Sequence, residues 1–186
     1  MVKLFTVSQK GGNNGNLWNN ANPNGFFSTL HIEGVKKIWD VRRSPNGRRG
    51  SFFDTNIFKW CCAHDRVKFE WRLDLAPEKE LFKECDQMNF DLCTYAKAYF
   101  TPKIVAVLNS ITLEDIADTA ILCAEQGLYN CHRLLIALYL KERFPKINIK
   151  HLGLAYDRYG NEKDAPQRIA LLNTITYIKN LCRTVD

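Results

Sequence analysis

Long apolar runs are missing from this sequence. Stretches such as Ile104–Leu108 and Leu134–Leu140 fall far short of the roughly 20 residues needed to cross a bilayer, so no helical membrane span is expected. The opening residues Met1-Val-Lys-Leu-Phe-Thr-Val-Ser lack the apolar segment and small-residue cleavage site of a secretory signal, and Val2 stands where myristoylation needs Gly. The expectation is a soluble, cytoplasmic chain, or one carried inside a virion assembled there.

The short motifs of common chemistries are absent too. There is no Gly-x-Ser-x-Gly elbow, no Walker loop and no dinucleotide fingerprint; Gly11-Gly12-Asn-Asn-Gly15 lacks the Lys-Ser/Thr that binds phosphate. No Cys-x-x-Cys pair occurs among the seven cysteines, and that odd number, with several at apolar positions, argues for reduced, packed thiols over a disulfide framework. Cys61-Cys62-Ala63-His64 places thiols and imidazole close together, and Cys85, Cys93, Cys131 and His132 offer further donors, but the spacing is not that of a zinc site. Cys131-His132, or Cys62 with His64, supplies the residue types of a thiol nucleophile and its base. Sequence neighbours on a helix nevertheless diverge by about 100°, so no catalytic residue is assigned, and no metal or cofactor is expected. His31, His132 and His151 read as packing or surface residues.

What is present is an uneven charge. Residues 1–72 hold 12 Lys+Arg against 5 Asp+Glu, while residues 73–186 hold 14 against 15, so the net charge of +6 belongs to the front of the chain. Such asymmetry suggests an anionic partner. At 186 residues, with 46% hydrophobic and 25% charged positions, the chain suits one domain with a real core. Residues 1–25 read as a flexible Asn/Gly-rich arm, in which Leu17 and Trp18 are the candidate docking anchors. Residues 26–186 read as a single α+β domain.

Period-two alternation marks the front of that domain. Phe26, Leu30 and Ile32 alternate with polar residues, Val35–Arg42 repeats the pattern, Ser51–Cys62 is aromatic-rich, and Arg66–Leu75 alternates without a break. Ser44-Pro45-Asn46-Gly47 has the chemistry of a tight reversal. An antiparallel β region over 26–75 is expected, packed against a mostly helical half over 76–186. Helices are expected from Pro77, over Phe90–Phe100, as a hairpin over residues 112–144, and after Asp164. Lys103–Asn109 is ambiguous, and Lys146–Lys150 suits a short strand.

The strongest functional lead in the residues is cationic. Arg42, Arg43, Arg48 and Arg49 flank the reversal, and Arg66, Lys68 and Arg72 share the polar face of a strand, so several guanidiniums could converge on phosphate oxygens. Aromatics through residues 52–71 could stack bases, although alternation sends most of them inward. The layout of arm, basic β region and helical remainder is loosely similar to that of small viral matrix or nucleic-acid-packaging proteins. It implies a non-enzymatic, self-associating structural protein that binds RNA, a nucleocapsid or an anionic membrane surface. The rival expectations are an adaptor gripping a protein through the helical hairpin 112–144, and a Cys/His thiol enzyme.

Overall fold

The computed structural model describes residues 1–9, 23–45, 51–81, 91–125, 128–129, 131–152 and 165–183. Five strands form one sheet: β1 (Lys3–Ser8), β2 (Lys37–Asp40), β3 (Lys68–Trp71), β4 (Thr119–Cys123) and β5 (Asn148–His151). Their order across the sheet is β3-β2-β4-β1-β5, and every pairing is parallel. The helices alternate with them: α1 (Pro23–Glu33), α2 (Thr55–His64), α3 (Leu92–Tyr99), α4 (Pro102–Ser110), α5 (His132–Arg143) and α6 (Ala165–Arg183).

The α+β expectation with an antiparallel front is therefore corrected to an α/β fold. Residues 26–32 are not a strand: Pro23 sits at the first helical position, where its missing N–H costs nothing, and Phe26, Phe27 and Leu30 fall on one buried side of α1. Ser51–Cys62 is not a strand either. Asp54 accepts from the backbone N–H of Asn56 and starts α2, whose buried Phe58, Cys61 and Cys62 follow helical spacing. The long alternation of Arg66–Leu75 yields only four strand residues before a tight 3-10 turn at Leu73–Leu75. The proposed helical hairpin over 112–144 is half strand: Ala120-Ile-Leu-Cys123 is buried on both faces as the middle of the sheet. A short unbroken apolar run fits a doubly covered parallel strand as well as a buried helix. Helices within Phe90–Phe100, Leu128–Phe144 and the last segment, and a strand at 148–151, match expectation. Lys3–Ser8, inside the stretch read as an arm, is β1 and pairs on both sides. Leu17 and Trp18 lie outside the described residues.

Two cores cover the two faces. Leu4, Trp39, Ile121 and Cys123 point toward α3–α6, where they meet Tyr95, Tyr99, Leu108, Leu135 and Ile178. Phe5, Val7, Ile38, Ala120 and Leu122 point the other way, toward α1 and α2. There Phe26 contacts Phe27, Phe52, Phe53 and Phe58 at centroid separations of 5.2–6.0 Å, mostly edge-on as ring quadrupoles prefer. The chain thus winds leftward across the sheet through α1 and α2 on one face, then rightward through the remaining helices on the other.

Both helices of the aromatic face end in the same way. After α1, the N–H of Val35 reaches Leu30 O and that of Gly34 reaches His31 O, with Gly34 at φ +80°. After α2, Val67 reaches Cys62 O and Arg66 reaches Ala63 O, with Arg66 at φ +57°. These are Schellman termini, each closed by an apolar pair, Leu30 with Val35 and Cys62 with Val67. Glycine occupies the left-handed position at no steric cost, whereas an Arg there is strained. Arg66→Gly is expected to raise the unfolding free energy by about 1 kcal/mol, and Gly34→Ala, which meets open space, to lower it by a similar amount. Urea unfolding of the two variants checks both signs.

Candidate active site

In a sheet wound in both directions, the crevice opens where neighbouring strands send their helices to opposite faces. β4 is that strand here. Its neighbours β1 and β2 lead into the aromatic face, and β4 itself leads to α5 on the other. Its last residue is Cys123, tied on either side by Gln9 N–H donating to Cys123 O at 3.0 Å and Val41 N–H donating to Leu122 O at 3.0 Å.

α5 begins directly over this rim. Cys131 is its N-cap, with φ −140° and ψ 134°, and His132 and Arg133 form its first turn. Because Cys131 is extended, the helical divergence of neighbouring side chains does not separate it from His132, and both converge on Cys123. The Cys123 and Cys131 sulfurs and a His132 ring nitrogen all lie within 4.8 Å of one another. Cys123 Sγ is 3.9 Å from each ring nitrogen of His132. His132 Nε2 lies 2.9 Å from the Val41 carbonyl, which can only accept, so Nε2 carries a proton. Arg133 donates from one terminal nitrogen to Cys131 Sγ at 3.3 Å and to the Glu125 carbonyl. All four side chains are buried, none more than 2% exposed.

This setting polarises the two thiols. A hydrogen bond from Cys131, and then the charges of His132 and Arg133, bring Cys123 well below the ordinary thiol range against the opposing effect of burial. Cys131 moves the other way, pushed up by burial and by the Cys123 charge. Burial works against a charged His132, yet Cys123 beside it raises its pKa on balance. The arrangement sets a thiol of lowered pKa against imidazole and guanidinium, with a second thiol of raised pKa donating to it. The three donors span a distance that a soft metal ion can bridge, but the Arg133 charge already supplies the compensating positive charge at this spot.

The opposite face of the rim is locked by a buried ion pair. Asp40 and Arg42 form a two-pronged contact, Nε to Oδ1 at 2.8 Å and Nη2 to Oδ2 at 2.5 Å, and Arg42 also donates to Gln9 Oε1 at 2.7 Å and Phe53 O at 3.1 Å. Trp71 Nε1 donates to Arg42 O at 3.0 Å. Val41, whose carbonyl orients His132, sits between these clamped residues. At the β1/β5 side, Thr6 Oγ1 lies 2.7 Å from His151 Nδ1.

Among the described residues, most of the cationic side chains singled out in the sequence face carboxylates of the same chain. Arg42 is sealed against Asp40; Arg43 meets Glu78 at 3.0 Å; Lys68 meets Glu70 at 2.6 Å; Arg72 meets Asp74 at 2.8 Å and stacks over Trp39. Arg66 is exposed at the end of α2. Arg48 and Arg49 lie outside the described residues. Cys61 and Cys62 sit together on α2, where burial pushes both thiols up, and His64 is exposed, near Asp65 and stacked on Trp60. They are not part of the Cys123 group. What sequence reasoning missed is the longer pattern: an apolar run ending in Cys123, then Cys131-His132-Arg133 opening a helix.

Comparison with known protein families gives one result: the model described as "Domain of unknown function DUF488" matches residues 22–140. The chain belongs to the DUF488 family. The DUF488 match takes in β2, β4 and the start of α5, and with them Asp40, Arg42, Cys123, Cys131, His132 and Arg133. Searches of curated proteins and of solved structures returned no match.

Two outcomes follow from the buried charges. Asp40→Asn leaves Arg42 buried without its counter-charge, and a loss of about 3–5 kcal/mol in stability is expected, with Asp40→Leu/Arg42→Met recovering most of it in the same urea titration. His151 is held neutral, its pKa depressed to about 4 by burial and secondarily by Arg133. The unfolded chain takes up this proton near pH 6.5, so the associated stability is intact above that pH and is lost as the pH falls toward 4. The loss is expected to reach about 3 kcal/mol, and His151→Gln should flatten that part of the stability profile.

Proposed function

We propose that this protein is a cysteine-dependent enzyme whose nucleophile is Cys123. The observation that carries the reading is the convergence of Cys123, Cys131, His132 and Arg133 at the C-terminal end of the central strand, where a doubly wound sheet places its chemistry. In this reading His132 holds the proton exchanged with the reacting group, Arg133 balances the thiolate charge, and the Val41 carbonyl fixes the ring of His132. The Asp40–Arg42 pair acts through Val41 as a positioning element. Binding of a polyanion draws less support from the described residues, since Arg42, Arg43, Lys68 and Arg72 each face a carboxylate of the same chain.

The test is the pH dependence of Cys123 alkylation by a small neutral reagent such as iodoacetamide, followed by peptide mass spectrometry. The midpoint for Cys123 is expected below the ordinary thiol value of about 8.5. His132→Gln and Arg133→Gln should each move it upward. A Cys123 midpoint at or above the ordinary value would sink the proposal.

A further inference from the structure

Resting on that reading, the geometry points to a substrate class: we infer that Cys123 reduces a small hydroperoxide, of the size of hydrogen peroxide, and that Cys131 resolves the product as a Cys123–Cys131 disulfide. Two observations carry this. Cys123 is 2% exposed and Cys131 1%, so a small electrophile reaches the sulfur far more readily than a peptide, nucleotide or sugar electrophile does. The second is the neighbouring thiol. Both cysteines are unbridged, and their sulfurs lie within 4.8 Å, so a bond of about 2 Å needs only a local approach of the N-cap residue toward the strand end. An enzyme forming a thioester or a phosphocysteine has no use for such a partner; a thiol oxidised to a sulfenic acid does.

The steps balance. The Cys123 thiolate attacks one peroxide oxygen, forming an S–O bond and breaking the O–O bond. The departing hydroxide takes a proton from the His132 imidazolium and leaves as water, with Cys123 now a sulfenic acid. Cys131 then gives its proton to His132, and its sulfur attacks Cys123, forming the S–S bond as the S–O bond breaks. The second hydroxide recovers that proton and leaves as water. In total, two thiols and one hydrogen peroxide give one disulfide and two waters. A low-molecular-weight dithiol, oxidised in turn, restores both cysteines by exchange.

The experiment uses the full chain, reduced and desalted, with equimolar hydrogen peroxide at pH 7. Expected are loss of two thiols per chain, a Cys123–Cys131 linkage in the peptide map, and recovery of both thiols with dithiothreitol. Cys131→Ser should instead accumulate a Cys123 sulfenic acid that dimedone traps, and Cys123→Ser should leave Cys131 unoxidised. The oxidation rate should exceed that of an unperturbed thiol. If Cys123 alkylates with a depressed midpoint yet peroxide yields neither the linkage nor the dimedone adduct, the hydroperoxide inference is overturned and the nucleophile reading stands. If the midpoint is ordinary, both fall. One equivalent of metal copurifying and shielding Cys123 and Cys131 from alkylation until chelated would overturn both as well.

Discussion

Every residue of β4 is buried, and a strand that is dry on both faces obliges the chain to supply cover twice. From that requirement the rest of the architecture follows. One cover is aromatic, built from α1, α2 and the Phe52-Phe53 pair; the other is largely aliphatic with buried tyrosines, built from the later helices. Parallel strands with right-handed crossovers meet the requirement by changing winding direction once, and the change falls at β4. The fold and the location of the candidate site share one cause. The covers are thickest over the middle strands, and the flanks end in β3 and β5, four residues each, with Lys68, Glu70 and Lys150 along them to discourage edge pairing.

The rim of this strand gathers polar groups that would be costly if left alone in so apolar a place. Each is answered locally. Asp40 and Arg42 neutralise each other two residues apart, Gln9 and Phe53 O absorb the remaining guanidinium donors named above, and His132 is anchored to a main-chain oxygen. Cys131, His132 and Arg133 together hold the Cys123 thiol below its ordinary range. The ion pair brackets Val41, the residue whose carbonyl contacts the His132 ring.

Much of the helical half was legible from residues alone. Pro145 follows the end of α5 and leucine spacing marks it, and Phe90–Phe100 reads as helical, whereas the apolar run inside α4 fits a strand as well as a helix and its Thr101 cap reads only as an interruption. The front half misled for a physical reason. Phe26-Phe27 and Phe52-Phe53 place bulky rings at adjacent positions, a pattern compatible with either period, and the deciding signals were the helix starts at Pro23 and Asp54. The true alternation of Arg66–Leu75 survives in only four residues because Leu73 begins a turn. The cationic lead was legible as composition but not as geometry, since Asp74 lies beside Arg72 whereas Glu78 reaches Arg43 from a distant part of the sequence. The cysteine site was hidden by a correct rule applied to the wrong backbone: Cys131 is extended, so the divergence expected of helical neighbours does not operate.

The register of β1 has a consequence for how this chain is born. Leu4 lies opposite Thr119 on one side and Ile149 on the other, so β1 has no hydrogen-bonding neighbour until the ribosome has made β4. At about 5–20 residues per second, Leu4, Phe5 and Val7 wait on the order of ten seconds with their amides and apolar side chains unclaimed. Chaperone capture of the nascent chain should therefore be concentrated on β1 and should cease once β4 has emerged.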